Sequence, residues 1–236
     1  MDSPKLDKYL EEYHSEGFSI APGLLPKSAC EQILARAMSL VDGNQLPPRL
    51  MNPHRTDSRF LRFLQDPRIV EIIEHIFTEE AVGVQTMFYI KPPRSTGHSW
   101  HQDQYYIPGT PKAIAAAWCA LDSSDETNGA LVVYPGSHKR GLQEMVPLDS
   151  PDFANHAKTI EPASCYCPQY VCMEPGDVLF FDGLLIHGSY PNYSETRLRR
   201  AFISHYLARG SAGAHDEQRL VNLRSGAPDT PCERQC

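Results

Sequence analysis

His101-Gln102-Asp103, with His187 standing 84 residues beyond the aspartate, supplies two imidazoles and one carboxylate in an order that a divalent metal can use. In an extended strand alternate side chains share a face, so His101 and Asp103 point one way and Gln102 the other. His187 is too remote for a local contact, and a second strand must carry it alongside. Two histidines and one carboxylate leave open positions on an octahedral metal, the facial arrangement of non-haem Fe(II) oxygen-activating sites. The tripeptide alone is a weak signal in a chain with ten histidines, so its weight depends on the elements around it.

Those elements divide into a helical front and a β-rich body. Residues 4–16 carry Leu6, Tyr9, Leu10 and Tyr13 at helical spacing, and Gly17 follows as a stop. FSIAPGLLP then reads as a short strand and turn. Ser28 is placed to cap a second helix, ACEQILARAMSLVDG, whose stripe is Ile33, Leu34, Ala37 and Leu40. Residues 43–58, rich in Pro and Asn, read as a long loop of the kind that often serves function. Asp66-Pro67 opens a third helix, PRIVEIIEHIF, with proline in the first turn.

From about residue 81 the texture is β: AVGVQTMFYIKPP, KAIAAAWCAL, GALVVYPGSH, GDVLFFDGLLIHGSY and RRAFISHYLA. Helices precede strands instead of alternating with them, which argues against a doubly wound parallel sheet. The expected fold is an all-β jelly-roll core buttressed by N-terminal helices, in one domain. Helical support would span about 4–80, the barrel 81–208 and a tail 209–236. In such a barrel two remote strands open at one mouth, which makes the distance from Asp103 to His187 natural. Arg197, Arg199 and Arg200 enter the last strand; Arg197, Arg199, Ala201 and Ile203 share one face, with Arg200, Phe202 and Ser204 on the other. A guanidinium inside a barrel needs a carboxylate, and its fork suits a dicarboxylate.

Bulk properties narrow the partners. A formal charge of -7 and a pI near 5.8 argue against a nucleic-acid groove. The polar N-terminus lacks a secretory signal and no run of about 18 apolar residues occurs, so a cytoplasmic protein off the membrane is expected. Seven cysteines, an odd number, fit free thiols in a reducing compartment, and the C-x-C-x4-C run at Cys165, Cys167 and Cys172 matches no common zinc spacing.

Met87-Phe-Tyr-Ile-Lys91-Pro-Pro, Trp100-His-Gln-Asp103, Ala117-Trp118-Cys-Ala-Leu-Asp122, Asn128-Gly129, Pro135-Gly-Ser-His138, Gly176-Asp-Val-Leu-Phe180, His187-Gly-Ser189 and Arg199-Arg-Ala201 occur in that order. Together with EGFSIAPGLLPKSACEQI, and over roughly residues 8–208, they resemble the phytanoyl-CoA dioxygenase family of Fe(II)- and 2-oxoglutarate-dependent oxygenases. The resemblance implies a double-stranded β-helix of cupin type in which His101, Asp103 and His187 bind iron. It implies that Arg199 holds the distal carboxylate of 2-oxoglutarate, with Ser189 assisting and Met87, Gln102, Trp118 and Gln85 around the cosubstrate. The interval from His187 to Arg199 is one residue longer than the family pattern, so Arg197 and Arg200 stay open as alternatives. Asp103 stands where halogenating relatives carry a small residue, which favours hydroxylation.

The chemistry so implied is O2-dependent oxidation of a C–H bond, with 2-oxoglutarate leaving as succinate and CO2. Tyr105, Tyr106 and the 43–58 loop are candidates for the substrate mouth, with Arg49, His54 and Arg55 available to an anionic group. A small free molecule is the expected substrate, and a monomer or weak homo-oligomer the expected state. A non-catalytic cupin-like binding protein is the competing class, with a metal-dependent isomerase or a cofactor-free dioxygenase as further alternatives.

Overall fold

The protein, seen in a computed structural model, is described over residues 3–41, 49–107, 113–153, 158–214 and 220–228. Helix α1, Ser3–Glu16, buries Leu6, Tyr9 and Tyr13 and stops at Gly17, whose φ of 87° suits a residue without Cβ. Strand β1, Phe18–Ala21, follows at once. Helix α2, Lys27–Ser39, buries Cys30, Ile33 and Ala37.

Ser28 does not cap α2. The extended Pro26 occupies that position without a side-chain hydrogen bond, so the helix starts at Lys27 and Ser28 falls inside its first turn. Its end is also earlier than expected, at Ser39. Part of the expected 43–58 loop, residues 43–48, lies outside the described residues. The remainder is ordered as β2, Arg49–Met51, and a 3-10 turn, Pro53–Arg55.

Helix α3, Ser58–Leu64, was not evident from periodicity because it is only two turns long. Asp57 caps it by accepting from the Arg59 amide, and the same carboxylate takes the Arg36 Nε of α2 at 2.5 Å. Helix α4, Pro67–Phe77, begins as expected, with Asp66 accepting from the Arg68 amide and proline in the first turn. No helix among the described residues is long and apolar enough to cross a membrane.

The body is built from β3, Ala81–Lys91; β4, His98–His101; β5, Ile114–Ala120; β6, Leu131–Val133; β7, Val146–Pro147; β8, Lys158–Thr159; β9, Gln169–Val171; β10, Val178–Asp182; β11, His187–Ser189; β12, Arg199–Ala208; and β13, Val221–Asn222. The larger sheet runs β1-β10-β5-β12-β3-β13 with β2 added against β3, and the smaller runs β4-β11-β6-β9. Their pairings are antiparallel, and the two sheets face each other as the jelly roll expected from the strand spacing.

Two apolar layers hold this arrangement. Helices α3 and α4 press Phe60, Leu64, Ile69 and Ile73 onto the outer face of the large sheet, against Phe88, Phe202 and Tyr206. Phe60 stacks on Phe202 at 5.7 Å, and the Tyr206 hydroxyl donates to the Leu64 carbonyl. Between the sheets, Trp118, Leu131, Val133, Phe181 and Ile203 form the second layer. With both faces covered, β5 reads IAAAWCA and is buried at every position. The helices thus make the large sheet a rigid floor, and β4 and β11 lay the chemistry-bearing residues over it.

Candidate active site

His101 ends β4 and His187 begins β11, and the two are directly opposed in the antiparallel register. Their rings approach to 4.2 Å between centroids. Asp103 does not belong to the strand: it opens a 3-10 turn, Asp103–Tyr105. Gln102 nevertheless keeps extended angles of -121° and 131°, so the alternation holds for one more step and Asp103 faces the same space as His101.

The tautomers of both histidines follow from their neighbours. His101 Nδ1 lies 2.7 Å from the Ser99 carbonyl and His187 Nδ1 lies 2.9 Å from the Leu185 carbonyl. A carbonyl only accepts, so each Nδ1 carries the proton and each Nε2 presents a lone pair. Both Nε2 atoms stand 3.6 Å from Asp103 Oδ1, and one donor atom from each of the three residues falls within 4.8 Å of the others. Two bare nitrogens and an anionic oxygen converging in this way fit a divalent iron ion.

Asp103 is held from both sides. Burial by itself would raise its carboxyl group, but the positive charge that His187, His205 and His101 carry when protonated, together with the His205 hydrogen bond, outweighs that and keeps it well below the usual carboxylate range. His205, on β12, donates from Nε2 to Asp103 Oδ2 at 2.9 Å and leaves Oδ1 turned toward the two metal-facing histidines. His205 was missed in the sequence. The alternation that places Arg199, Ala201 and Ile203 on one face reaches it two residues later, and that was the available signal.

The same cavity runs inward from the triad past Met87, Trp118, Leu131 and Phe181 to Ser189 and Arg199. Arg199 is 3% exposed, its Nε donates to the Gly129 carbonyl, and its guanidinium lies 5.2 Å from the Tyr89 ring and 5.5 Å from that of Trp118. Burial lowers it to about 10, which leaves it charged at neutral pH. Arg197 is instead exposed on Asp125, and Arg200 is held by both oxygens of Asp122. Of the three arginines near the start of β12, only Arg199 lines this space.

Other expected positions separate. Gln85 shares a face of β3 with Met87 but is not among the cavity-lining residues. Gln102 turns away from the cavity, as alternation requires. Its amide nitrogen donates to the Gly141 and Leu184 carbonyls, and its oxygen accepts from the Gln143 amide. It therefore ties the turn carrying Asp103 to β10–β11 and to the 141–143 segment. At the mouth, Arg49 and His98 join the lining, while Tyr105 and Tyr106 are exposed and Tyr106 sits 6.0 Å from the His101 ring. His54 is buried on Thr86, and Arg55 points to solvent.

The sequence pattern of the phytanoyl-CoA dioxygenase family matches residues 13–201. The peroxisomal phytanoyl-CoA dioxygenase of Bos taurus is 33% identical over 160 residues, covering 64% of this chain and 46% of that protein. A 1-deoxypentalenic acid 11-beta-hydroxylase of Streptomyces arenae is 27% identical over 221 residues, covering 82% and 76%. The chain spans about half the length of the mammalian relatives it matches. Among solved structures, the epimerase SnoN in complex with Fe3+, alpha ketoglutarate and nogalamycin RO superposes with a TM-score of 0.74 at 19% identity, over 89% of this chain and 86% of that one, and so shares the fold. With the ordered motifs, the family match over most of its length and the double-stranded β-helix all in agreement, this chain belongs to the phytanoyl-CoA dioxygenase family.

Proposed function

We propose that this chain, as a single oxygenase domain, is an Fe(II)- and 2-oxoglutarate-dependent dioxygenase that oxidises an unactivated C–H bond of a small molecule. The observation carrying this reading is that one cavity holds both the His101/Asp103/His187 donor set and a single buried guanidinium. Iron held there would, with 2-oxoglutarate and O2, supply the oxidising power, one oxygen atom leaving in the succinate formed alongside CO2 and the other going to substrate.

The chain's own residues do the rest. His101 and His187 each offer a neutral Nε2 and Asp103 an anionic oxygen, and these three would hold the metal while leaving room for exchangeable ligands. Because Asp103 takes a position that a halide would need, hydroxylation is favoured over halogenation. Arg199 receives the distal carboxylate of the cosubstrate as a charged fork, and the Ser189 hydroxyl assists. Trp118, Leu131, Phe181 and Ile203 exclude water around that ion pair and so strengthen it. Substrate reaches the triad past Arg49, Tyr89 and His98, with Tyr105 and Tyr106 at the rim. The free thiols of Cys30, Cys119, Cys165, Cys167 and Cys172 support placement in a reducing compartment such as the cytoplasm.

A non-catalytic cupin-like binding protein would keep the barrel and its histidines but has no use for a buried Arg199. An isomerase or a cofactor-free dioxygenase would have no requirement for 2-oxoglutarate. Mixing the protein anaerobically with Fe(II) and 2-oxoglutarate should give a weak visible charge-transfer band that His187→Ala abolishes, and admitting air should yield succinate. No band and no 2-oxoglutarate-dependent thermal shift in the unmodified protein would refute the oxygenase reading.

A further inference from the structure

Lys91, the last residue of β3, stands directly opposite Arg199 in the register with β12. It is 1% exposed, and its Nζ donates to the Ser189 hydroxyl at 2.8 Å. Among the described residues neither Lys91 nor Arg199 forms an ion pair with a carboxylate, so two basic side chains share one buried corner that holds no anion to keep both of them charged. Burying an unpaired cation is expensive, and proteins seldom do so twice in one place without a ligand to neutralise it. The corner's electrostatics register the deficit: burial, and then the Arg199 charge, push the Lys91 amine down to about 6.

The backbone around Lys91 is shaped for its side chain. Gly129, at φ 76°, passes so close that an added Cβ would meet Lys91 Cε at 2.4 Å and Cδ at 2.8 Å. The same glycine's carbonyl accepts from Arg199 Nε at 3.1 Å. One residue without a side chain thus opens the slot along which Lys91 reaches Ser189 and also fixes Arg199 beside it. Asn128 holds this turn in place through a capping box with Asp125.

We propose that Lys91 is a positioning residue for the distal carboxylate of the cosubstrate, acting through Ser189, and that the Gly129 slot exists to admit it; this rests on the 2-oxoglutarate reading above. Lys91 is not itself among the residues lining the cavity, whereas Ser189 is. By donating to the Ser189 oxygen, Lys91 leaves the hydroxyl proton available to an anion lying between Ser189 and Arg199. When that anion is present, Lys91 also supplies the second positive charge of the corner. The pair then favours an oxo acid with a distal carboxylate over one that ends in a methyl group.

The test compares 2-oxoglutarate with 2-oxopentanoate, which has the same five carbons but no distal carboxylate. Dissociation constants are measured by calorimetry on protein loaded with Mn(II), without turnover. Lys91→Met should weaken 2-oxoglutarate about tenfold, the scale of one hydrogen bond to a charged group, and leave 2-oxopentanoate within about twofold. Ser189→Ala should give the same selective loss, and adding Lys91→Met to it should cost little more, because the two act on one path.

Lys91→Gln, which keeps a donor without the charge, should fall between the unmodified protein and Lys91→Met, and it serves if the methionine variant does not fold. Unchanged 2-oxoglutarate affinity in Lys91→Met, or equal losses for both oxo acids, would overturn the role of Lys91 and leave the functional reading standing. Failure of the unmodified protein to bind 2-oxoglutarate would overturn both.

Discussion

His205 Nε2 lies 2.9 Å from Oδ2 of Asp103, so the carboxylate offered to metal by the 3-10 turn after β4 is held from behind by β12 of the opposite sheet. Since Asp103 stays ionised, this nitrogen is the donor, and the other ring nitrogen, Nδ1, is buried with no hydrogen-bond partner among the described residues. The bond sets which Asp103 oxygen faces His101 and His187.

His205→Ala should therefore weaken divalent metal binding about 10- to 100-fold, the usual effect of losing a group that orients a ligand. His205→Gln, able to donate from a similar place, should recover part of it. Titration with Co(II), followed by its visible absorbance, measures both. Equal affinity in the alanine variant and the unmodified protein would show that Asp103 needs no such support.

Arg199 and Arg200 are neighbours with opposite duties. Arg199→Met should reduce 2-oxoglutarate affinity on the order of 100-fold while metal binding survives, because it removes a desolvated charge and its hydrogen bonds. Arg200→Ala should leave 2-oxoglutarate affinity alone and lower stability by about 1–3 kcal/mol, since it strands the half-buried Asp122. Urea melts and calorimetry on the two variants separate these outcomes; a 2-oxoglutarate defect in Arg200→Ala would reverse the assignment.

Much of this site was legible because strand alternation is a strict rule. It gave the shared direction of His101 and Asp103, and it put Arg199 on the face of Ala201 and Ile203. Helix α4 was equally plain, since an Asp-Pro start and four buried isoleucines coincide in one segment. What could not be read are relationships made only by folding. His205 meets Asp103 across 102 residues, and Lys91 meets Ser189 across 98. Alternation along β12 puts His205 on the cavity face, but nothing local names Asp103 as its partner or Ser189 as that of Lys91. Helix α3 failed for the opposite reason: seven residues give too few turns for a period to stand out. The difference between Arg197, Arg199 and Arg200 was decided by Asp125 and Asp122, whose positions depend on the β5–β6 turn.

Gln102 was expected near the cosubstrate, yet its amide is committed to the backbone at Gly141, Leu184 and Gln143. Gln102→Leu keeps the bulk and abandons three backbone groups, of which the buried Leu184 carbonyl costs about 1–3 kcal/mol when left unsatisfied and the half-buried groups of Gly141 and Gln143 less. The variant should melt well below the unmodified protein and bind metal more weakly, because the turn bearing Asp103 loosens. In the metal-bound fraction its 2-oxoglutarate affinity should be unchanged. A selective loss of 2-oxoglutarate with normal melting would restore the direct contact.

His54 gives a pH test away from the metal. It sits in the turn after β2, with Nδ1 2.7 Å from the Thr86 hydroxyl, and burial, followed by the charge of Arg55, lowers it from 6.5 to about 4. Between those two values the unfolded chain binds a proton that the folded chain refuses, so stability must rise with pH across the window and fall as pH drops from 6.5 toward 4. The full effect at pH 4 is on the order of 3 kcal/mol. Replacing His54 with asparagine removes the titrating group, and although the variant will be less stable at pH 7, its loss between pH 6.5 and 4 should be smaller by that amount. Urea midpoints at four or five pH values for the two proteins measure the difference in slope. Parallel curves would mean that His54 is protonated in the folded protein, and that the turn beneath the site accommodates the charge which its burial argues against.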